Sequence, residues 1–296
     1  MSSLTLDAPA KVNLYLRVLG RREDGYHVLD SLFHTVGLYD RITLSASASG
    51  PTLTCSDPSL AGPGNLALSA AHHLADAAGR APDVDIHLEK AIPTGAGLGG
   101  GSSDAATVLT GLNRLWGLGW PRERLAEIGA ALGSDVPFFV YGGAAVIGGR
   151  GEFVTPVPDM AGRWCVLLNP GVGVSTAAVF SAYARESMPE LLTERRSAPI
   201  ITPASTVPGT IPEGDWMNDL EPVACRMVPE VGHALDALRN AGGKGARMSG
   251  SGTTVFCLAP TREAADGVCE RLAAAPGWNV WVVPLTAAEA AVPVHD

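Results

Sequence analysis

Between residues 92 and 106 the chain reads IPTGAGLGGGSSDAA. Glycines stand at 95, 97 and 99–101, and the composition then turns abruptly to helix-forming residues. Glycine loses more conformational freedom on folding than any other residue, so such a run is costly unless something must come close to the main chain. These positions let amide N–H groups converge on an anion without Cβ obstruction. Ser102 or Ser103 can cap the helix that follows, and its N-terminus adds partial positive charge at the same point. One or two glycines are ample for a tight turn into a helix. The stretch therefore predicts a phosphate-binding loop.

The standard phosphate loops do not fit. Gly95-x-Gly97-x-x-Gly100 matches the dinucleotide fingerprint, but the preceding segment alternates and carries Asp85, Glu89 and Lys90. A Rossmann strand is buried on both faces and runs straight into its first glycine, whereas here Ile92-Pro93-Thr94 intervene. A Walker A loop needs Lys then Ser/Thr after its last glycine, and Ser102-Ser103 stands there instead. The H-R-D and D-F-G companions of protein kinases are absent.

Composition narrows the ligand. A net charge of −9 argues against a broad nucleic-acid footprint but leaves a local anion site open. No run approaches 18 apolar residues, so no membrane span or membrane partner is expected. The opening MSSLTLDAPAKVNLYLRV lacks a basic segment followed by an apolar one, so no secretory leader is expected. Five scattered cysteines without a C-x-x-C pair suit reduced thiols in the cytoplasm. The histidines show no zinc-type spacing.

Alternation predicts strands over 12–18 and 84–88, with further strands at 35–46, 138–147, 164–169, 254–259 and 279–283. Helical patterns run over 65–78, 103–116, 121–132, 220–240 and 261–274, with Pro121 suited to a first turn. Strands and helices mix without strict βαβ order, which points to an α+β fold. The stretch 195–215 holds four prolines and reads as a long loop. Turn chemistry at 155–163 suggests a domain boundary.

Lys11 and Asn13, two apart at a strand entrance, share one face. Asp135 sits in GSDVPFF, before Val136-Pro137 and an apolar stretch. Taken singly, they read as a solvated lysine and a turn or capping aspartate. Together with PAKVNLYLRVLGRREDGYH (9–27), the glycine loop, VSTAAVF (174–180), NDLE (218–221) and MSGSGTTVF (248–256), they form a signature spanning nearly the whole chain. The chain resembles the GHMP kinases. GRREDGYH combined with GLGGGSSDAA narrows the resemblance to the branch that phosphorylates a cytidine-diphosphate-linked methylerythritol in the non-mevalonate isoprenoid pathway.

That resemblance implies a two-domain fold: a ribosomal S5 domain 2-like N-terminal domain (1–158) and a ferredoxin-like C-terminal domain (159–296), with the site between them. It implies an ATP-dependent kinase acting on the 2-hydroxyl of that small molecule, with no nucleic-acid partner. ATP phosphates would lie on Pro93, Thr94, Gly95, Ala96, Gly97, Leu98, Gly99, Gly100, Gly101, Ser102 and Ser103, with the nucleoside end near Asn65. Asp135 would accept the hydroxyl proton and Lys11 would hold the hydroxyl and the phosphoryl charge. Mg²⁺ is expected with ATP, with Ser103 as its contact. Asn13, Tyr26, His27, Phe33, Thr176 and Phe180 would meet the acceptor, with Tyr26 and Phe180 around the pyrimidine and His27 on its polar edge. Phe180 alone would read as core, and MSGSGTTVF as a tight turn or as closing the acceptor side. A mevalonate or homoserine kinase would share the loop without needing the Tyr26-His27-Phe180 set. A non-catalytic binding protein would be expected to lose Lys11 or Asp135, and a dinucleotide oxidoreductase rests on the fingerprint alone.

Overall fold

The computed structural model describes residues 3–22, 25–47, 50–160, 162–187, 216–273 and 275–288. The proline-rich stretch read as a loop, 195–215, lies outside them. Two sheets and flanking helices form the α+β architecture expected.

A long antiparallel ribbon dominates the first sheet: β1 (Ser3–Arg21) against β2 (His27–Ala46). The other edge of β2 takes β4 (Val84–Glu89) along residues 41–46 and β5 (Ala144–Gly149) along residues 29–34. β3 (Thr52–Cys55) and β6 (Phe153–Val157) complete this sheet. Helices α1 (Leu66–Ala78), α2 (Gly100–Leu115), α3 (Arg122–Leu132) and α4 (Val136–Tyr141) carry much of the core beside it, including Leu74, Leu109, Leu112 and Phe138. The second sheet is antiparallel in the order β10 (Asn279–Pro284), β7 (Trp164–Asn169), β9 (Val255–Ala259), β8 (Arg247–Met248). With it come α5 (Thr176–Ser187), α6 (Glu221–Met227), α7 (Pro229–Asn240) and α8 (Arg262–Arg271).

Where the structure differs from the sequence reading, packing or backbone chemistry gives the reason. The strand expected over 138–147 is a helix, α4, followed by β5. Pro137 sits in the first turn of α4, and Gly142 and Gly143, both at positive φ, end the helix before the strand begins. The helix read over 220–240 is two, broken at Val228 before Pro229, because proline disfavours α geometry in the residue it follows. The 155–163 stretch starts inside β6, so its turn chemistry begins only after Val157. Neither Ser102 nor Ser103 caps α2, whose N-cap is Gly99 in the left-handed region. Pro121 is the N-cap of α3.

The alternating segment 12–18 is not half-exposed. Residues 8–16 of β1 are all buried, because the second sheet covers the face that the first leaves open. Ala10, Val12 and Leu14 pack with Cys165, Leu167 and Phe256, whereas Leu16 and Val18 join Val166, Leu168 and Leu235. Register shifts at Pro9/Ala10 and Asn13/Tyr15 bracket Lys11 to Asn13. Bulges of this kind re-aim side chains locally.

Leu109 is fully buried at the centre of α2. Leu109→Ala should lower the unfolding free energy by about 2–5 kcal/mol, read as a drop in urea midpoint at unchanged slope.

Candidate active site

The loop after β4 changes handedness residue by residue. Gly95, Gly97 and Gly99 have φ of 63°, 76° and 73°, and among the described residues no non-glycine has positive φ. Alternation of this kind gathers successive amides into a concave anion-binding nest. The protein holds every carbonyl of that stretch. Gly95 O accepts from Val174 N (3.3 Å), Ala96 O from Thr254 N (3.1 Å), Leu98 O from Lys11 N (3.0 Å) and Gly99 O from Ser103 N (2.9 Å). Gly97 O accepts from Ser249 Oγ at 2.9 Å. In a trans peptide the next amide points opposite to the carbonyl, so the N–H groups of 96–100 face away from these donors.

Glycine is required here by the protein as much as by any ligand. A Cβ on Gly97 would lie 2.1 Å from Ser249 O, and one on Gly99 would lie 2.9 Å from the Phe139 ring. Leu98 turns its side chain into the core.

One buried ammonium ties the loop to its frame. Lys90 Nζ pairs with Asp40 and lies 2.7 Å from Asp104 on α2. The other oxygen of Asp40, Oδ1, accepts from Ala91 N (2.6 Å) and Ile92 N (2.8 Å), fixing the chain where it leaves β4. Burial pushes the Asp104 carboxyl up to about 7, against the pull of Lys90.

Lys11 is 3% exposed, with Nζ 3.7 Å from Asp135 Oδ2 and 4.5 Å above the centre of the Phe33 ring. It donates to Asn13 Oδ1, and Asn13 Nδ2 donates to Ser31 Oγ at 3.2 Å. Burial lowers the Lys11 pKa, and the Asp135 carboxylate pulls it back upward. Asp135 is the N-cap residue of α4 yet makes no side-chain capping bond, and its side chain is 31% exposed. The carboxylate thus faces the cleft.

The cleft has two lobes. One, about 410 Å³, is lined by Lys11, Asn13, Phe33, Lys90 and residues 93–97 and 99–102. The other, about 910 Å³, is lined by Tyr26, His27, Arg21, Arg150, Ser181 and Arg185 among others. Leu29, Asp135, Thr176 and Phe180 line both. The acid expected to act therefore stands where the lobes meet.

Several expected contacts fall elsewhere. Asn65 caps α1, accepting from Ala67 N and donating to Leu60 O, each at 2.9 Å, and Leu66 lines the smaller lobe in its place. Phe33 is buried beneath Lys11 and against Phe138, on the loop side rather than with Tyr26 and His27. Phe180 stacks on His27 (centroids 5.0 Å apart, planes at 28°) instead of standing opposite Tyr26, which is 52% exposed with the Arg150 guanidinium 5.2 Å from its ring centre. His27 Nε2 is buried with no hydrogen-bond partner among the described residues. Burial, then the charge of Arg21, lowers the His27 pKa, which favours the neutral ring. Thr176 Oγ1 lies 2.9 Å from Ser251 Oγ. Ser103 is fully buried and does not line either lobe, and its Oγ lacks a partner among the described residues.

The sequence reading missed Ser249, Arg150 and the Asp40–Lys90–Asp104 cluster. No local pattern joins Arg150 to the GYH segment, or residues 40, 90 and 104 to one another.

A phosphate nest beside a buried lysine paired with a cleft-facing aspartate, opening onto an aromatic-lined lobe, defines a small-molecule phosphotransferase site. The model for the GHMP kinases N terminal domain matches residues 65–143, and that for GHMP kinases C terminal matches residues 213–277. The chain is 43% identical to 4-diphosphocytidyl-2-C-methyl-D-erythritol kinase of Citrifermentans bemidjiense, over 94% of this chain and 97% of that protein. It is 45% identical to the kinase of the same name from Halorhodospira halophila, over 96% of each. A crystal structure of 4-(cytidine 5'-diphospho)-2C-methyl-D-erythritol kinase superposes with a TM-score of 0.75 at 36% identity, covering 95% of this chain and 99% of that one. The chain belongs to the GHMP kinases, ATP-dependent phosphotransferases.

Gly97→Ala places a carbon against a backbone oxygen at a φ that costs alanine on the order of 1–3 kcal/mol. It should weaken ATP binding by roughly tenfold or more in calorimetry. Gly64→Ala, with nothing within 4 Å of the added carbon, should bind as the wild type does.

Proposed function

We propose that the chain transfers the γ-phosphoryl group of ATP to the 2-hydroxyl of 4-diphosphocytidyl-2-C-methyl-D-erythritol, in the non-mevalonate route to isoprenoid precursors. The observation that carries this reading is Asp135: it lines both lobes, 3.7 Å from a buried lysine, and it is free of capping duty.

Asp135 takes the hydroxyl proton as the oxygen attacks the γ-phosphorus and the bond to the β–γ bridging oxygen breaks. Lys11, held by Asn13, keeps its positive charge beside the developing alkoxide and the transferring oxygens. Such positioning and charge neutralisation supply most of the rate in phosphoryl transfer. The loop amides of 96–100 and the start of α2 hold the phosphates, and Leu66 and Pro93 flank the nucleoside end. Mg²⁺ accompanies ATP. Among the described residues no group of three or more His, Cys, Asp or Glu could cage a metal. That fits an ion carried chiefly by nucleotide phosphates and one protein oxygen. Ser103, expected from the sequence to supply that oxygen, has an Oγ without a partner among the described residues but is fully buried outside both lobes, and Ser102 is the serine of that turn that lines the smaller lobe.

In the larger lobe, Phe180 and Tyr26 offer faces to the cytosine, and the unpartnered His27 Nε2 reads its polar edge. Arg150, on the wall of the same lobe, offers a positive charge to the diphosphate. A mevalonate or homoserine acceptor has no ring for these groups. We further propose a division into domains at 158/159, between β6 and β7, and a cytoplasmic location. Five free cysteines support a reducing compartment, and no helix among the described residues is long and apolar enough to cross a membrane.

Asp135→Asn keeps the shape and removes the proton acceptor. kcat should fall about 10²–10⁴-fold while calorimetry finds ATP affinity nearly unchanged; turnover at the wild-type rate would remove Asp135 from the role.

Tyr26→Ala and Phe180→Ala should each cost about 1–3 kcal/mol in kcat/KM for the cytidyl acceptor at saturating ATP, with Tyr26→Phe near neutral. His27→Ala should narrow the preference for the cytidyl over the uridyl acceptor. Loss of activity in Tyr26→Phe equal to that in Tyr26→Ala would show that the hydroxyl, not the ring, carries the contact.

A further inference from the structure

Five consecutive loop carbonyls, 95–99, are held by the protein, and four of their donors are backbone amides that no side-chain substitution removes. The fifth donor is the Ser249 hydroxyl. Ser249 is fully buried in the MSGSGTT turn after β8 and is brought to the loop from the opposite end of the chain. Its single proton goes to Gly97 O at 2.9 Å, while its oxygen accepts from Asn13 N at 3.2 Å. Asn13 Oδ1, at 3.4 Å, already receives the Lys11 ammonium. One hydroxyl therefore bridges the middle peptide of the phosphate nest and the residue that orients Lys11.

The turn that presents Ser249 is itself fixed. Asn218 Nδ2 donates to Met248 O and Gly250 O at 2.8 Å each, and Glu221 Oε2 accepts from Met248 N at 2.7 Å. Both residues belong to NDLE. Ser249 N donates to Thr254 O at 2.9 Å, and Thr254 N in turn holds Ala96 O. The turn is thus braced on one side and bonded to the loop on the other.

We propose that Ser249 is a positioning residue for phosphoryl transfer: its hydroxyl locks the Gly97 peptide so that the amide of residue 98 faces the ATP phosphates, and couples that peptide to Asn13 and Lys11 on the acceptor side. The proposal rests on the reading of the glycine loop as the ATP site. With no solvent at Ser249, no water replaces a deleted hydroxyl, and both Gly97 O and Asn13 N lose their partner. The Gly97 peptide can then rotate out of the nest.

The experiment compares Ser249→Ala, Ser249→Thr and Leu235→Ala. Leu235 lies buried on α7 among Val231, Leu238 and Val268, away from the cleft, and supplies a variant destabilised by a core cavity. ATP affinity is measured by calorimetry without acceptor, then kcat and both KM values well below each melting temperature. Ser249→Ala should bind ATP roughly tenfold more weakly and lose kcat by a similar factor, with KM for the acceptor within about twofold of wild type. Ser249→Thr, which keeps the hydroxyl, should restore ATP affinity, and Leu235→Ala should melt earlier with unchanged kinetic constants. A fall in melting temperature alone for Ser249→Ala would overturn the proposal, as would equal ATP weakening in Leu235→Ala or failure of threonine to improve on alanine. Because ATP binding is read without acceptor, a wild type that binds ATP yet leaves the cytidyl acceptor untouched would sink the substrate assignment and leave the Ser249 comparison standing.

Discussion

An amide can be offered to an anion only if the carbonyl on the other side of its peptide has somewhere to go. In this protein the carbonyls of 95–99 are bonded to Val174, Thr254, Ser249, Lys11 and Ser103. Those partners come from β1, from α2 and from two segments of the C-terminal half. An unpaired buried carbonyl would cost on the order of 1–3 kcal/mol, so the partners fix the loop's direction as well as its stability. The rest of the site is arranged around this constraint. Lys11 serves twice: its amide holds Leu98, and its ammonium stands beside Asp135.

The ammonium is buried because the β1–β2 ribbon that carries it is covered by the second sheet. Lysine is seldom fully buried without a partner. Here Asp135, Asn13 and the Phe33 face share the charge. The bulges either side of residues 11–13 let these polar groups face the cleft while Ala10, Val12 and Leu14 feed the core beneath the second sheet. The same arrangement recurs at Lys90, whose charge is divided between Asp40 and Asp104 and anchors both ends of the loop. Removing the Lys90 ammonium would strand two carboxylates inside the protein, a far larger penalty than the loss of a surface pair.

Chemistry and recognition are divided between the lobes. The smaller holds the phosphate nest and the lysine; the larger holds rings and guanidinium groups; Asp135 touches both. His27 stacks on Phe180 and keeps one ring nitrogen without a partner among the described residues, and burial favours its neutral form. Such a nitrogen is suited to reading a base edge, whereas a charged imidazolium would be solvated or paired.

The sequence alone determined the local chemistry. Glycine spacing at 95, 97 and 99 required alternating backbone handedness, Asn65 and Gly79 bounded α1, and the two-residue spacing of Lys11 and Asn13 put them on one face. Tertiary structure decided the rest. It made VPFFVY a helix despite its β-forming residues, through Pro137 and the packing of Phe138 on Phe33. It buried both faces of an alternating strand, under a sheet whose first strand begins only at Trp164. It placed Ser249 under Gly97, and Asp40 against Lys90, pairs 152 and 50 residues apart. Helix caps and glycine turns obey rules that act within a few residues, so a sequence displays them. A hydrogen bond between distant positions leaves no periodic trace, and only the folded chain reveals it.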